Sequence, residues 1–90
     1  MRVALMAHDK PGALDVRVAN RQAHLDYIKA TGVVEMAGPL LDDAGQMCGS
    51  LIVLDVADMA AARAWAAADP YANAGLFAAT TLIEWKKVIG

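Results

Sequence analysis

Between Leu14 and Ile28 the apolar positions recur at helical spacing. At ~100° per residue, Leu14, Val18, Leu25 and Ile28 share one arc, the stripe that a helix turns toward a core. Arg17 and His24 lie on one edge of that arc, and Arg21 falls inside it, where a solvated face would not place an arginine. Three side chains able to carry positive charge therefore lean toward the protein, which points to a pocket. The helix runs from about Ala13 to Thr31. The turn residues Asp9, Lys10, Pro11 and Gly12 precede it, and Gly32 ends it as glycine does just past a helix C-terminus. Ahead of the turn, Arg2 to His8 is a short apolar run that reads as a buried strand.

Val33 to Ala37 reads as a second strand, closed by Gly38-Pro39, and Asp42 to Gly45 as a polar loop of hairpin length. Met47 to Val56 is a third strand with two apolar faces. One carries Met47, Gly49, Leu51 and Val53; the other carries Cys48, Ser50, Ile52 and Leu54. Both faces should be buried, and helices can cover only one of them. Asp58 is placed to N-cap a second helix from Met59 to Ala68, rich in alanine and anchored by Trp65. Pro70 stops that helix at or before Asp69. Tyr71 to Gly75 reads as a turn and Phe77 to Lys87 as the last strand. The order predicts a ferredoxin-like βαββαβ fold of the α+β class, a four-stranded antiparallel sheet with both helices on one face. Its open face is apolar. The natural cover is the same face of a second chain, giving a two-fold homodimer.

Composition narrows the picture. Ninety residues make one domain, 1–90. A content of 58% hydrophobic and 20% charged residues is rich for this size and leaves apolar surface for a partner subunit. A net charge of −2 without a basic run excludes a nucleic-acid surface. Cys48 is the only cysteine, so neither an intrachain disulfide nor a thiolate zinc cluster can form, and a reducing, cytoplasmic setting is expected. The segment from Met1 to His8 lacks the pattern of a signal peptide, and no apolar run approaches the ~20 residues that cross a bilayer, so no membrane partner is expected. No glycine-rich phosphate loop occurs and two scattered histidines are too few for a metal, so neither cofactor nor metal is expected.

Several short motifs stand in a fixed order: Asp9 with Pro11-Gly12, Arg17 and Arg21 ahead of His24-Leu25, Gly38-Pro39-Leu40, Gly49-Ser50, and Asp69-Pro70-Tyr71 followed by Gly75-Leu76. Trp85 closes the series. With these motifs the chain resembles the YciI family (YCII-related domain) of the dimeric α+β barrel group over nearly its whole length. Glu84 departs from the pattern, since the family more often has proline or an apolar residue there. The resemblance implies a dimer and a site built on a histidine and an aspartate, here His24 and Asp69. Most members have no assigned reaction; a related branch is linked to removing chloride from hydroxylated aromatics.

The residues themselves allow two readings at each position. Asp69 ends a helix, where a carboxylate opposes the dipole at a cost of ~0.3–1 kcal/mol if exposed. It is either a polar stop before proline or the partner of an imidazole. His24 is either a boundary histidine or a general base or acid whose tautomer Asp69 selects. In the site reading the pair hydrogen-bonds at ~2.7–3.2 Å and lines a pocket with Arg17 at its rim. Arg17 and Arg21 either hold a carboxylate or phenolate ligand or pair with a partner chain or with Asp15 and Asp26. Ser50 either bonds a ligand from the sheet or is a small spacer. Tyr71 either closes the pocket or packs the turn. Nothing places a base beside Ser50 or Cys48, so no nucleophile is assigned. Two classes of function remain open. One is a cofactor-free acid–base enzyme of lyase, isomerase or dehydrohalogenase type, acting on a small anionic or phenolic compound. The other is a non-catalytic module that uses the same pocket to bind a small ligand or a partner.

Overall fold

The computed structural model describes all residues from Met1 to Gly90. In chain order they form β1 (Arg2–Asp9), α1 (Leu14–Thr31), β2 (Val34–Leu41), β3 (Met47–Asp55), α2 (Met59–Ala68), α3 (Pro70–Asn73) and β4 (Phe77–Glu84). The strands make one antiparallel sheet in the order β2-β3-β1-β4. This is the ferredoxin-like arrangement. Alternation along β1 sends Val3, Leu5 and Ala7 to the helix side, where they pack with Ile52 and Leu54 of β3 and with Ala62 and Trp65 of α2. Two hydrogen bonds fasten α1 to α2 above this core. The Tyr27 hydroxyl donates to the Trp65 carbonyl at 2.8 Å, and the Trp65 indole N–H donates to Thr31 Oγ1 at 2.9 Å. No helix is long and apolar enough to cross a membrane.

Local signals explain most boundaries. The Asp58 carboxylate accepts from the Ala61 amide at 2.8 Å and caps α2. Gly32 ends α1 in the left-handed region, at φ 67°. Gly49 is buried where β3 runs antiparallel to β1 opposite His8, and a Cβ there would collide with the Ala7 carbonyl oxygen.

Four expectations need correction. β2 does not close at Gly38-Pro39 but runs on to Leu41. It is an edge strand, so a missing proline N–H costs no ladder bond if it faces outward. β4 ends at Glu84 rather than Lys87, although the Trp85 amide still donates to the Arg2 carbonyl at 3.0 Å. Tyr71 to Gly75 is not a plain turn, because Pro70–Asn73 forms the single helical turn α3. The fourth concerns α1. Val18 is 58% and Leu25 41% exposed, while the buried residues of this helix are Arg17 and His24. The helix is rotated from the position its apolar arc predicts. Its C-terminal turns meet the core through Tyr27 and Ile28, and the stretch from Arg17 to Ile28 lines one side of a pocket. That rotation is tolerable because both buried polar side chains find partners.

The opposite face of the sheet has no helix over it. Val53 is nearly buried among its neighbours there, but Met6, Leu51, Met36 and Ile83 are 40%, 41%, 51% and 62% exposed in the single chain.

Candidate functional site

The site begins with a backbone constraint. A residue before proline avoids the helical region, and Asp69 takes φ −60°, ψ 129°. That turn out of α2 brings its carboxylate inward. Oδ1 accepts the Tyr71 amide at 2.9 Å, which caps α3. The same carboxylate meets His24 Nδ1 at 2.8 Å through Oδ1 and at 3.0 Å through Oδ2. Both side chains are buried. A carboxylate only accepts, so Nδ1 carries the hydrogen. Nε2 makes no bond to the protein and is left open to the adjoining cavity. The Tyr71 ring stacks on the imidazole with centroids 4.0 Å apart and planes 15° from parallel, and it fixes the ring's second degree of freedom.

Arg17 forms the second half. Asp9 at the end of β1 grips it bidentately, with Nε donating to Oδ2 at 2.7 Å and Nη2 to Oδ1 at 2.8 Å. Nη2 also donates to Ser50 Oγ at 3.0 Å. Asp9 and Ser50 engage only Nε and Nη2, Arg17 lines the cavity, and the Tyr71 phenol is close enough to act on the guanidinium. The guanidinium carbon lies 4.7 Å from the centre of the Tyr71 ring, a cation–π contact. Burial acts to lower the Arg17 pKa, but the hydrogen bonds and charge of Asp9 outweigh it and leave the group above its ordinary value. Burial pushes the Tyr71 phenol up, against an opposing pull from Arg17 and Arg21. Tyr27 is also raised, first by burial and then by the Asp69 charge.

These groups enclose a cavity of about 110 Å³ between α1 and the β2-β3 half of the sheet. Arg17, His24, Ser50 and Tyr71 supply its polar wall, and Ile28, Pro39 and Ile52 are among its apolar lining. Asp69 stands behind His24. Arg21 lines the cavity from an exposed position and makes no ion pair. The arrangement can hold a flat ring, bind one of its oxygens at Arg17 and Ser50, and exchange a proton at Nε2. No group of three or more metal-ligating side chains occurs.

Two details differ from expectation. Arg17 is not at the rim; it is 2% exposed, and its partner is neither Asp15 nor Asp26. The residue that sequence reasoning missed is Asp9. A signal was present, because the alternation Val3, Leu5, Ala7 extends to Asp9 and puts a carboxylate on the helix side of β1.

The family model of the YCII-related domain matches residues 1–86. An uncharacterized protein of Haemophilus influenzae is 34% identical over 98% of this chain and 99% of its own length. Protein YciI of Escherichia coli is 33% identical over the same shares. Among solved structures, the 5-chloro-2-hydroxyhydroquinone dehydrochlorinase TftG of Burkholderia phenoliruptrix, in complex with 2,5-dihydroxybenzoquinone, superimposes with a TM-score of 0.87 at 33% identity, covering 96% of this chain and 94% of that one. An antibiotic biosynthesis monooxygenase shares the fold alone, with a TM-score of 0.61 at 13% identity over 98% of each chain.

Proposed function

The chain belongs to the YCII-related (YciI) family, and on that premise we propose that it is a cofactor-free acid–base enzyme acting on a small phenolic or anionic ring compound. The observation that carries this reading is the fixed imidazole. Asp69 holds Nδ1–H, which leaves Nε2 as the basic nitrogen of a ring that lines the same cavity as Arg17 and Ser50. The similarity to a dehydrochlorinase seen with a quinone supports it. The cavity of about 110 Å³ is smaller than the ~150 Å³ that encloses benzene, but it opens to solvent, so a bound ring would project part of its edge through the mouth.

In this reading Nε2 of neutral His24 removes a proton from a ring hydroxyl or from a carbon next to an oxygen-bearing position. The electron pair moves through the ring. It either accumulates on an oxygen beside Arg17 and Ser50 Oγ or, where the chlorine-bearing ring carbon has already taken up a proton as its tetrahedral keto tautomer, expels chloride from that carbon. The imidazolium is stabilised by Asp69. It then returns the proton to another ring carbon, which completes an isomerisation, or to solvent, which completes the loss of HCl. Proton exchange into deuterated water, followed by NMR on chlorinated and unchlorinated hydroxyhydroquinones, tests this. Wild type exchanges or dechlorinates a member of the set; His24→Gln loses about 10²–10⁴-fold and Asp69→Asn, which permits the wrong tautomer, about 10²-fold or more. Turnover unchanged in His24→Gln overturns the assignment. Ligand binding without turnover leaves a binding module.

The same reading includes a homodimer in a cytoplasmic, reducing setting. Support for the dimer comes from the uncovered sheet face around Met6, Leu51 and Ile83; support for the setting comes from the single free thiol, Cys48. Light scattering at micromolar concentration should give twice the 9.5 kDa chain mass. A monomer mass removes the dimer.

A further inference from the structure

The three basic side chains of α1 that adjoin the cavity, Arg17, Arg21 and His24, differ in how far they are already engaged. Arg17 is bound bidentately by Asp9 through Nε and Nη2, so it offers little net charge. His24 is bound by Asp69. The floor of the cavity therefore lies near two buried carboxylates and one buried guanidinium. An ionised ligand group placed there would be stripped of water and set near the charges of Asp9 and Asp69. A neutral hydroxyl or carbonyl oxygen costs far less to bury. Arg21 is different. It lines the cavity, is exposed, and has no ion pair or hydrogen-bond partner in the chain, and the neighbouring Asp26 is engaged with Gln22 at 2.9 Å. Its charge is close enough to pull on the Tyr71 phenol. It stands one helical turn, ~5.4 Å, from Arg17, a step comparable to the width of one six-membered ring.

We propose that Arg21 is a specificity-determining residue, and that the pocket's preferred ligand is a hydroxylated aromatic carboxylate: its neutral hydroxyl at the floor against Arg17, Ser50 and His24, its carboxylate at the mouth on Arg21. This rests on the acid–base reading and adds to it the charge of the ligand and where that charge sits. Arg suits the task because its fork binds a carboxylate bidentately, and an exposed position lets the ligand keep part of its hydration.

Calorimetric titration of the full chain with hydroquinone, 4-hydroxybenzoate and 4-hydroxybenzylamine tests it, with NMR of the imidazole signals as a second readout. Wild type should bind 4-hydroxybenzoate about three- to tenfold more tightly than hydroquinone. That margin should shrink as salt rises, since the pair is exposed. Arg21→Gln should bind the two alike. Arg21→Glu should reverse the order and prefer the amine. Both substitutions lie on the exposed side of α1, and circular dichroism confirms their folding. A margin that survives Arg21→Gln, or wild type that gains nothing from the carboxylate while hydroquinone binds and moves the His24 signals, overturns the role of Arg21 and leaves the acid–base reading in place. Failure of all three compounds to bind wild type overturns both.

Discussion

The chain builds an arginine–carboxylate pair twice, at nearly the same distances and in opposite surroundings. Arg17 meets Asp9 at 2.7 and 2.8 Å, with the side chains 3% and 5% exposed. Arg2 donates from Nε alone to Glu35 Oε1 at 2.9 Å and Oε2 at 3.0 Å, with Nη2 2.8 Å from Oε1, and the side chains are 36% and 26% exposed. The first lies on the helix side of the sheet, the second on the open side, because alternation along β1 sends Arg2 the opposite way from Val3. Distance alone would rank them equal. Burial separates them. The inner pair has lost most of its water, so each partner depends on the other. The outer pair keeps its solvent and is screened by salt. The inner pair also does something the outer cannot: it sets a guanidinium in a cavity wall beside an imidazole.

The largest effect should follow from cutting the inner fork. Asp9→Ala leaves a buried guanidinium unpaired and should cost about 3–5 kcal/mol in a urea unfolding series. A loss below about 1 kcal/mol would mean that water reaches Arg17 and would break the contrast. A smaller effect concerns the tyrosine beneath that fork. Tyr71 and Tyr27 are the only tyrosines, and burial raises both phenols in the folded chain. Raised groups contribute stability that is fully present below the unfolded tyrosine value near 10, and that is lost as pH rises through the folded value. Tyrosinate absorbance should therefore appear only above the ordinary range, together with unfolding. Tyr71→Phe should flatten the alkaline fall in stability, and an ordinary titration in the folded chain would contradict the burial argument. The smallest effect belongs to the outer pair. Glu35→Ala should leave the thermal midpoint indistinguishable from wild type at physiological salt. Arg2 and Glu35 lie toward one end of the exposed face, where a dimer rim would stay wet. A loss as large as that of Asp9→Ala would show that a second chain seals the pair in.

Much of the architecture is legible in the residues. The order of strands and helices, the Asp58 cap, the stop at Pro70 and the apolar face left by β3 all come from local spacing and local chemistry. Helical spacing put Arg17, Arg21 and His24 together, while the pairing of His24 with Asp69 was legible only through the family resemblance and Ser50 and Tyr71 kept two readings. In the structure Arg17, Arg21, His24, Ser50 and Tyr71 line one cavity, with Asp69 behind it. The errors cluster where a long-range partner overrides a local pattern. Pro39 reads as a strand end, but it sits on a sheet edge where a missing N–H is tolerated. Val18 and Leu25 read as core, but the helix turns Val18 outward and sets Leu25, part exposed, at the cavity.

The sequence alone determined which residues share a helix or strand face, because periods of 3.6 and 2 are properties of the backbone. It also determined that Asp69 leaves the helical region, because the proline ring clashes locally. Only the tertiary structure decided which arc of α1 packs inward. That choice depends on whether Arg17 and His24 can be satisfied once buried, and their partners Asp9 and Asp69 come from β1 and the end of α2, 8 and 45 positions away. Hydrophobic spacing counts apolar side chains; it carries no record of a distant carboxylate that makes burying a charge tolerable.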